Sequence, residues 1–214
     1  MSAKAVSTDA IRRAPPGAAE RPRVRDRILE TACELFYRHG IRAVGVDAIA
    51  SEAGTNKMSF YRHFPSKDDL VAEYLADQEG EYWKWWDEVV APYAGNPRRQ
   101  IEALMESVVD LARHKMKEAS GCKTSRGCAL GNACVEIPED NQRLSDIVHK
   151  YKTEIRRRLR KLSREMGAKE PDVLGDALML LVEGSYYSRL TFPGNTGPVT
   201  AITKAARALI EAHS

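Results

Sequence analysis

The sequence predicts an all-α fold, and two observations support that prediction. Apolar residues recur at spacings of three and four along most of the chain, which is the period of an amphipathic helix. Gly and Pro stand between these stretches, where they end and begin helices, and no segment shows the alternation of a half-buried strand. We therefore expect a small N-terminal unit of three helices followed by a larger helical body.

The chain begins with a segment that predicts no fixed structure. Residues 1–22 are rich in Ala, Ser, Arg and Pro, so we expect a disordered basic tail. The first helix follows near Arg23, because apolar residues recur from there with helical spacing. It is predicted to end at Gly40, since glycine suits the left-handed position after a helix end.

Three further helices are predicted from their boundary residues. A short second helix lies within residues 46–54, and Asn56 is a good N-cap for a third at 57–64. Ser66 caps a fourth helix, which has acidic residues in its first turn and extends to about Val90.

The remaining helices are separated by breaks that contain Gly and Pro. A Gly- and Cys-rich loop is expected at residues 120–131, between two long helices. The helices of the body are predicted at residues 97–116, 144–166, 171–190 and 198–212.

Charge is unevenly distributed along the chain. The first 70 residues contain 12 Lys and Arg against 9 Asp and Glu, whereas the remaining residues contain 21 of each. An excess of positive charge in the first third suits a segment that faces nucleic acid. No apolar stretch is long enough to cross a bilayer, and no signal peptide is evident, so we expect a cytoplasmic protein with reduced cysteines and no membrane partner.

The second and third predicted helices form a helix-turn-helix, because both are short and a tight turn joins them. In this motif the later helix lies in the major groove of DNA and the earlier one crosses the backbone. Lys57 and Arg62 can reach phosphates or guanine edges, and Met58 can contact a thymine methyl group. Phe60 and Phe64 form the apolar side that anchors the helix. The segment therefore predicts double-stranded DNA as a partner.

The stretch from Gly40 to Leu70 resembles the DNA-binding signature of the tetracycline-repressor (TetR) family. The matching positions include Ile49-Ala50, Ala53-Gly54, Tyr61, His63-Phe64, Ser66-Lys67 and Leu70. The resemblance implies a homodimer that binds a palindromic operator through residues 23–70. It also implies repression that ends when a small-molecule effector binds within residues 71–214. No cofactor is expected, and no catalytic arrangement is evident, so an enzyme is not predicted.

By motif position, the resemblance implies that Tyr61 and Lys67 contact phosphates. Family members often have Thr or Ser where this chain has Val44 and Gly45, and Gly where it has Met58, so we expect a lost phosphate contact and a different half-site. Arginines before the first helix could also follow the minor groove. The predicted DNA-binding residues are Arg23, Arg25, Gly45, Val46, Thr55, Asn56, Lys57, Met58, Ser59, Tyr61, Arg62, His63 and Lys67.

The last two helices are candidates for the dimer interface. The segment 178–182 is apolar on every side of its helix and must be covered on more than one face. Two such helices from each subunit would form an isologous four-helix interface, although burial within one subunit would also explain the pattern. The predicted interface residues are Val173, Ala177, Leu178, Leu181, Gly184, Ser185, Ser188, Ile202, Ala205, Ala206 and Leu209.

Three tryptophans at positions 83, 85 and 86 suggest an apolar effector pocket, because such pockets are lined by aromatic and aliphatic side chains. Ordinary packing explains the same residues equally well. The predicted ligand-binding residues are Trp83, Trp86, Met105, Val108, Val109, Met116 and Cys128. The basic run at residues 156–161 is interpreted as a solvated helix face that could also bind an acidic ligand or partner.

Cys122, Cys128 and Cys134 are separated by five intervening residues each, a spacing that does not favour a metal site. A thiol-responsive repressor is an alternative, since Lys123 and Arg126 could lower a cysteine pKa. A second alternative is a dimeric protein-interaction module that senses no ligand. Absence of an operator footprint would favour that module.

Overall fold

The structure is a computed structural model that describes residues 22–118, 127–192 and 197–214, with side chains described for all of these except 111–118. Within those ranges it is helical and contains no strand, so the predicted all-α fold is confirmed. The predicted basic tail, apart from residue 22, lies outside the described residues. The α-helices are α1 (Val24–His39), α2 (Val46–Glu52), α3 (Lys57–His63), α4 (Lys67–Val90), α5 (Pro97–Glu118), α6 (Ala129–Glu136), α7 (Gln142–Glu165), α8 (Pro171–Thr191) and α9 (Ile202–Ala212).

The helix boundaries in the first unit follow from their capping residues. The Asn56 side chain accepts a hydrogen bond from the Ser59 backbone N–H at 2.9 Å, and Ser66 Oγ accepts one from Asp69 N–H at 3.0 Å. Both residues therefore begin their helices as predicted. Gly40 follows α1 with a φ of 90°, in the left-handed region that favours glycine.

Helix α6 differs from the sequence prediction, which placed a loop through Gly131. Its buried residues Leu130 and Ala133 and the buried Ile137 just after it lie at spacings of three and four. Cys128 begins the helix, because its Sγ accepts a hydrogen bond from the Gly131 N–H at 3.3 Å. The helix was missed because it is only eight residues long and its cap is a cysteine instead of Ser, Thr, Asp or Asn.

The first three helices pack around one apolar centre with the start of α4. Ile28 and Phe36 of α1, Ile49 of α2 and Phe60 of α3 are all buried there. The Phe36 ring meets the Tyr74 ring of α4 edge to face, with 5.4 Å between the ring centroids. Helix α4 is therefore anchored to the helix-turn-helix at its N-terminal end.

Helices α7 and α8 form the closest pair in the body. A Cβ added at Gly175 would lie 2.7 Å from the Arg160 backbone Cα, so the two helices approach as closely as glycine allows. Arg156 and Arg160 both donate to the Asp176 carboxylate, and Asp172 accepts from Arg160. Two arginines of the basic run, Arg156 and Arg160, therefore join α7 to α8, and Arg156, Arg157 and Lys161 of the run are exposed.

An aromatic cluster joins α4 to α7 in the middle of the body. Tyr82 meets Tyr151 with 5.1 Å between ring centroids, and Trp83 and Trp86 are 6.0 Å apart. Trp85 is joined to α5, because its Nε1–H donates to Ser107 Oγ at 2.9 Å. Among the described helices, none has the length and apolarity that a membrane span requires.

Candidate DNA interface

Helix α3 is buried on one face and exposed on the other. Phe60 and the following Phe64 are buried at 0% and 1% exposure, so they fix the helix against its own unit. Met58 and Tyr61 on the outer face are 76% and 46% exposed. Lys57 and Arg62 are exposed on the same helix, as is its N-cap Asn56. The helix thus presents one cation at each end and a methionine and a phenol between them.

Helix α2 supports α3 from the side. It begins after Gly45, which provides no side-chain cap, and its first residue, Val46, is half-buried. Lys57 Nζ lies 3.2 Å from Asp47 Oδ2, but both side chains are more than half exposed. Surface ion pairs of this kind contribute little, so the ammonium can exchange its partner for a phosphate. Thr55, Ser59 and His63 are half-buried along the same turn and helix.

Lys67 is tied to the helix-turn-helix by its own ammonium group. Its Nζ donates to the Ile41 carbonyl at 2.6 Å and lies 6.0 Å from the centroid of the Phe36 ring. Burial lowers the pKa of Lys67 below its ordinary value. Because an ammonium has three donors, the Ile41 bond holds the group in place and leaves two donors for a further acceptor.

The two arginines predicted at the start of the first helix have different surroundings. Arg23 is the exposed N-cap residue of α1. Arg25 donates from Nη2 to both oxygens of Glu73 at 2.6 Å and lies 5.0 Å from the centroid of the Phe64 ring. Its guanidinium therefore joins α1 to α4 while its side chain stays 43% exposed.

Two residues that position the interface were missed by the sequence analysis. Arg27 Nε donates to the Ala53 carbonyl at 3.2 Å and so fixes the end of α2 against α1. Glu136, the last residue of α6, accepts a hydrogen bond from the Arg42 backbone N–H at 3.1 Å. A Cβ at Gly40 would lie 2.6 Å from Glu136 Oε2, so a larger residue would displace this carboxylate, and the φ of 90° favours glycine as well.

Further contacts join the same part of the chain to the body. Asn141 donates to Asp68 at 2.8 Å, and Arg143 donates to Asp69 at 2.7 Å. We call these two contacts, together with those of Glu136 to Gly40 and Arg42, the junction. It links the helix-turn-helix and the start of α4 to α6 and the start of α7, so a displacement of α6 would reach the candidate interface directly.

The predicted ligand-binding residues lie mostly within the core of the body. Met105, Val108, Val109 and Trp86 are buried, and Trp83 is partly buried against them. Among those of the set whose side chains are described, Trp86 alone lines a cleft at the far end of α4. Cys128 caps α6, and the Met116 side chain is outside the described part of the structure.

The predicted dimer residues divide into two groups. Leu178, Ser185, Ile202 and Ala206 are buried within the subunit itself, so they are not available to a partner and are removed from the predicted interface. Their burial follows from the position of α8, which packs one face on α7. Val173 and Gly184 are exposed on α8, whereas Ala177, Leu181, Ser188, Ala205 and Leu209 are half-buried.

Leu180 and Tyr187 extend the exposed face of α8 and were not predicted. They are 73% and 47% exposed and lie at helical spacing from Val173 and Gly184. We call these four residues the α8 stripe. The signal in the sequence was the unbroken apolar run at 178–182, whose rotation about the helix axis could not be fixed from periodicity alone.

The cysteines are dispersed. Cys33 lies in α1, where burial and the nearby Asp77 carboxylate raise the pKa of its thiol to about 12. Burial also raises the pKa of Cys134, at the exposed end of α6. A raised pKa disfavours the reactive thiolate. Cys122 is outside the described residues, and those that are described include no group of side chains that could hold a metal ion.

Comparisons with known proteins agree with this geometry. Residues 28–74 match the family model of bacterial regulatory proteins, tetR family. The HTH-type transcriptional repressor KstR2 of Mycolicibacterium smegmatis is 42% identical over 53 residues, which are 25% of this chain and 26% of that protein. Alignments with the first curated relatives span between 26% and 47% of those proteins.

Solved structures extend the likeness to the body. A TetR-family transcriptional regulator from Streptomyces coelicolor superimposes with a TM-score of 0.78 at 26% identity, covering 89% of this chain and 96% of that one. A cysteine mutant of the TetR-family regulator CifR, in complex with 26-bp operator DNA, has a TM-score of 0.70 at 17% identity, covering 94% and 100% of the two chains. The latter likeness concerns the fold alone. Residues 28–74 therefore match the tetR family of bacterial regulatory proteins, and the fold of the described chain is similar to that of a solved TetR-family regulator along most of its length.

Proposed function

We propose that the protein is a homodimeric repressor that binds a palindromic operator and is released by a small molecule. Residues 23–70 form the DNA-binding domain, and residues 71–214 form the effector-binding and dimerisation domain. The observation that carries this proposal is the two-sided α3, whose buried Phe60 fixes a helix that exposes Met58 and Tyr61. A polar recognition helix held rigidly by its own domain is what major-groove binding requires.

Within this proposal, each exposed group of the interface has a defined task. Tyr61 and Lys67 contact phosphates and set the register of the domain on the duplex. Met58 and Arg62 face base edges and determine sequence preference. Arg23, outside α1, adds a further phosphate contact. Together these cations make binding dependent on salt concentration.

Dimerisation uses the α8 stripe and α9. Leu180 is the most exposed leucine of the described chain, and a large exposed apolar side chain within a longer apolar face marks an interaction surface. Helix α9 adds small side chains beside it, since Ala208 is exposed and Ala205 is half-buried, and Ala201 just before the helix is exposed as well. Pairing of α8 and α9 with their symmetry mates gives an isologous interface, which matches a palindromic operator.

Release requires that a change in the body reaches α3. The junction provides the route, because Glu136 contacts the residues between α1 and α2 and Asn141 contacts the start of α4. A ligand that displaces α6 or α4 would change the relative orientation of the two DNA-binding domains. Release then follows because both α3 helices can no longer occupy successive major grooves.

Fluorescence anisotropy with DNA from the promoter region next to the gene tests this proposal. We expect specific binding that weakens steeply between 50 and 200 mM salt, the range over which several phosphate contacts lose about 1000-fold in affinity. Scrambled DNA of the same length is the control. Equal binding to both duplexes, or none to either, would contradict a sequence-specific repressor and favour the protein-interaction alternative.

A further inference from the structure

A cleft of about 340 Å³ opens at the end of α4 that is remote from the helix-turn-helix. Most of its lining is polar, and Arg157, Arg158 and Lys161 of α7 form its rim, whereas Trp86, Val90 and Leu162 form a smaller apolar floor. The volume lies at the lower end of the range of small-molecule sites.

The two arginines of the rim are held in position by one carboxylate. Arg157 donates to Glu154 from Nε and Nη2 at 2.6 and 2.7 Å, and Arg158 Nε donates to the same residue at 2.9 Å. A guanidinium has five N–H donors, so both groups keep donors for a further acceptor. Because Glu154 already orients them, little side-chain entropy is lost when an anion binds.

Lys161 is the loosely held cation of the rim. Its Nζ lies 3.6 Å from Glu165, which is the carboxylate that lines the cleft, and its side chain is 61% exposed. The Asp87 Oδ1 atom lies 3.2 Å from Nη1 of Arg158, and the Asp87 side chain is 68% exposed. An incoming carboxylate can therefore replace Glu165 on Lys161 while Glu154 and Asp87 keep their arginines.

The floor contains one aromatic ring, that of Trp86. Trp86 is 5% exposed, and the Arg158 guanidinium lies 5.9 Å from its ring centroid and 4.1 Å from that of Trp83. We propose that this cleft binds a small aromatic carboxylate, whose ring rests on Trp86 and Leu162 and whose charge meets Arg157 and Lys161. That this ligand acts as the effector rests in addition on the proposed function.

A route from the cleft to the DNA-binding end follows from the same contacts. Arg158 touches Trp83 and Asp87, and both belong to α4. Helix α4 has 24 residues, a length of roughly 36 Å, and it begins beside Ile41 at Lys67. A ligand that changes the contact between α4 and α7 therefore acts on a single helix that extends to the helix-turn-helix.

Tryptophan fluorescence tests binding without DNA, because all 3 tryptophans of the chain lie at positions 83, 85 and 86. The probe is 4-bromobenzoate, whose bromine quenches an indole only on contact, and 4-bromobenzamide is the neutral control. We expect saturable quenching by the carboxylate and at least tenfold weaker quenching by the amide. Equal quenching by both compounds, or quenching that does not saturate, would overturn the proposal.

Two variants locate the site on α7. The double variant Arg157→Gln with Lys161→Gln should weaken quenching by 4-bromobenzoate at least tenfold. Lys150→Gln, an exposed lysine on the same helix, removes one charge at a distance and should leave it unchanged. Similar losses in both proteins would show a general charge effect and refute the site. Circular dichroism confirms that each variant is folded.

The effector role is measured separately with protein bound to its promoter DNA. We expect 4-bromobenzoate to lower the fluorescence anisotropy of the labelled duplex in the concentration range that quenches tryptophan. Quenching without DNA release would keep the binding site and refute its effector role. If the protein does not bind its promoter DNA at all, that result contradicts the proposed function. The quenching experiment still decides whether the cleft binds the carboxylate.

Discussion

Arg42 and Glu136 hold each other by two hydrogen bonds that join the DNA-binding end to α6. The Arg42 backbone N–H donates to the Glu136 carboxylate at 3.1 Å, and the Arg42 Nε donates to the Glu136 backbone carbonyl at 2.6 Å. Each residue thus contributes one side-chain group and one backbone group. Such a reciprocal pair fixes the end of α6 in both position and orientation relative to the turn before α2.

Removal of the Glu136 carboxylate should loosen this turn. We expect Glu136→Ala to lose about 1 kcal/mol of unfolding free energy, the usual net contribution of an intramolecular hydrogen bond. Backbone amides near Arg42 should exchange faster with solvent, which hydrogen exchange measures. Glu139→Ala, at an exposed position just after α6, is the control. Unchanged exchange at Arg42 would contradict the importance of this contact.

Tyr61 should contribute affinity without sequence preference. Its phenol is exposed on α3, so Tyr61→Phe removes one hydrogen bond to phosphate and leaves the fold intact. We expect binding to weaken about tenfold, or ~1.4 kcal/mol, for the operator and for unrelated DNA alike. Anisotropy titrations measure both affinities. Tyr93→Phe, remote from the interface on the 3-10 turn Ala91–Tyr93, is the matched control. A loss confined to the operator would mean that Tyr61 contacts a base.

Met58 should affect sequence preference instead. It is the most exposed residue among the large apolar side chains of α3, and its methyl group suits contact with a thymine methyl. Met58→Ala should lower discrimination at one base pair of each half-site by about 1 kcal/mol. Binding to a library of single-base operator variants measures this effect. Equal weakening for every variant, including unrelated DNA, would place Met58 outside the groove.

Leu180 should be needed for dimerisation. Leu180→Glu places two like charges beside the two-fold axis of the proposed interface and removes an apolar side chain that is 73% exposed. We expect the dimer dissociation constant to rise at least 100-fold, about 2.7 kcal/mol. Sedimentation velocity measures the change. Val135→Glu on α6, at 75% exposure, is the matched control, and dimerisation that Leu180→Glu leaves intact would refute the proposed face.

Glu154 should contribute to resistance against acid. Hydrogen bonds from Arg157, and then from Arg158, lower the pKa of Glu154 from 4.5 to about 2. Because the folded-state pKa is depressed, its stabilisation is present above pH 4.5 and is lost as pH falls towards about 2. The side chain is partly exposed, so solvent reduces the effect to about 1 kcal/mol.

Urea denaturation between pH 6 and pH 2.5 measures this contribution. We expect Glu154→Gln to be less stable than the parent protein at pH 6, and the difference to shrink as pH falls. Glu139→Gln, at an exposed position just after α6, is the control. A difference that stays constant over the whole range would show that the carboxylate charge is not responsible.

Much of the fold was predictable because it depends on local signals. Asn56 and Ser66 cap their helices as the sequence indicates, and Phe60 is buried as its spacing requires. Arg25 could not be assigned in this way, because its partner Glu73 lies 48 residues away. Burial of Leu178 was equally hidden, since only the packing of α8 on α7 shows which side of an all-apolar helix is covered.

The contact between Gly175 and Arg160 also bears on how two subunits would communicate. The two helices approach there so closely that a single Cβ would not fit, and α7 and α8 cannot slide past each other without breaking the hydrogen bonds of Arg156 and Arg160 to Asp176. The cleft lies on one of these helices and the α8 stripe on the other. In the proposed dimer, a ligand in the cleft and the partner subunit would therefore both act on this pair of helices. Cooperative ligand binding, with a Hill coefficient above one in the dimer and equal to one in a monomeric variant, is the expected signature.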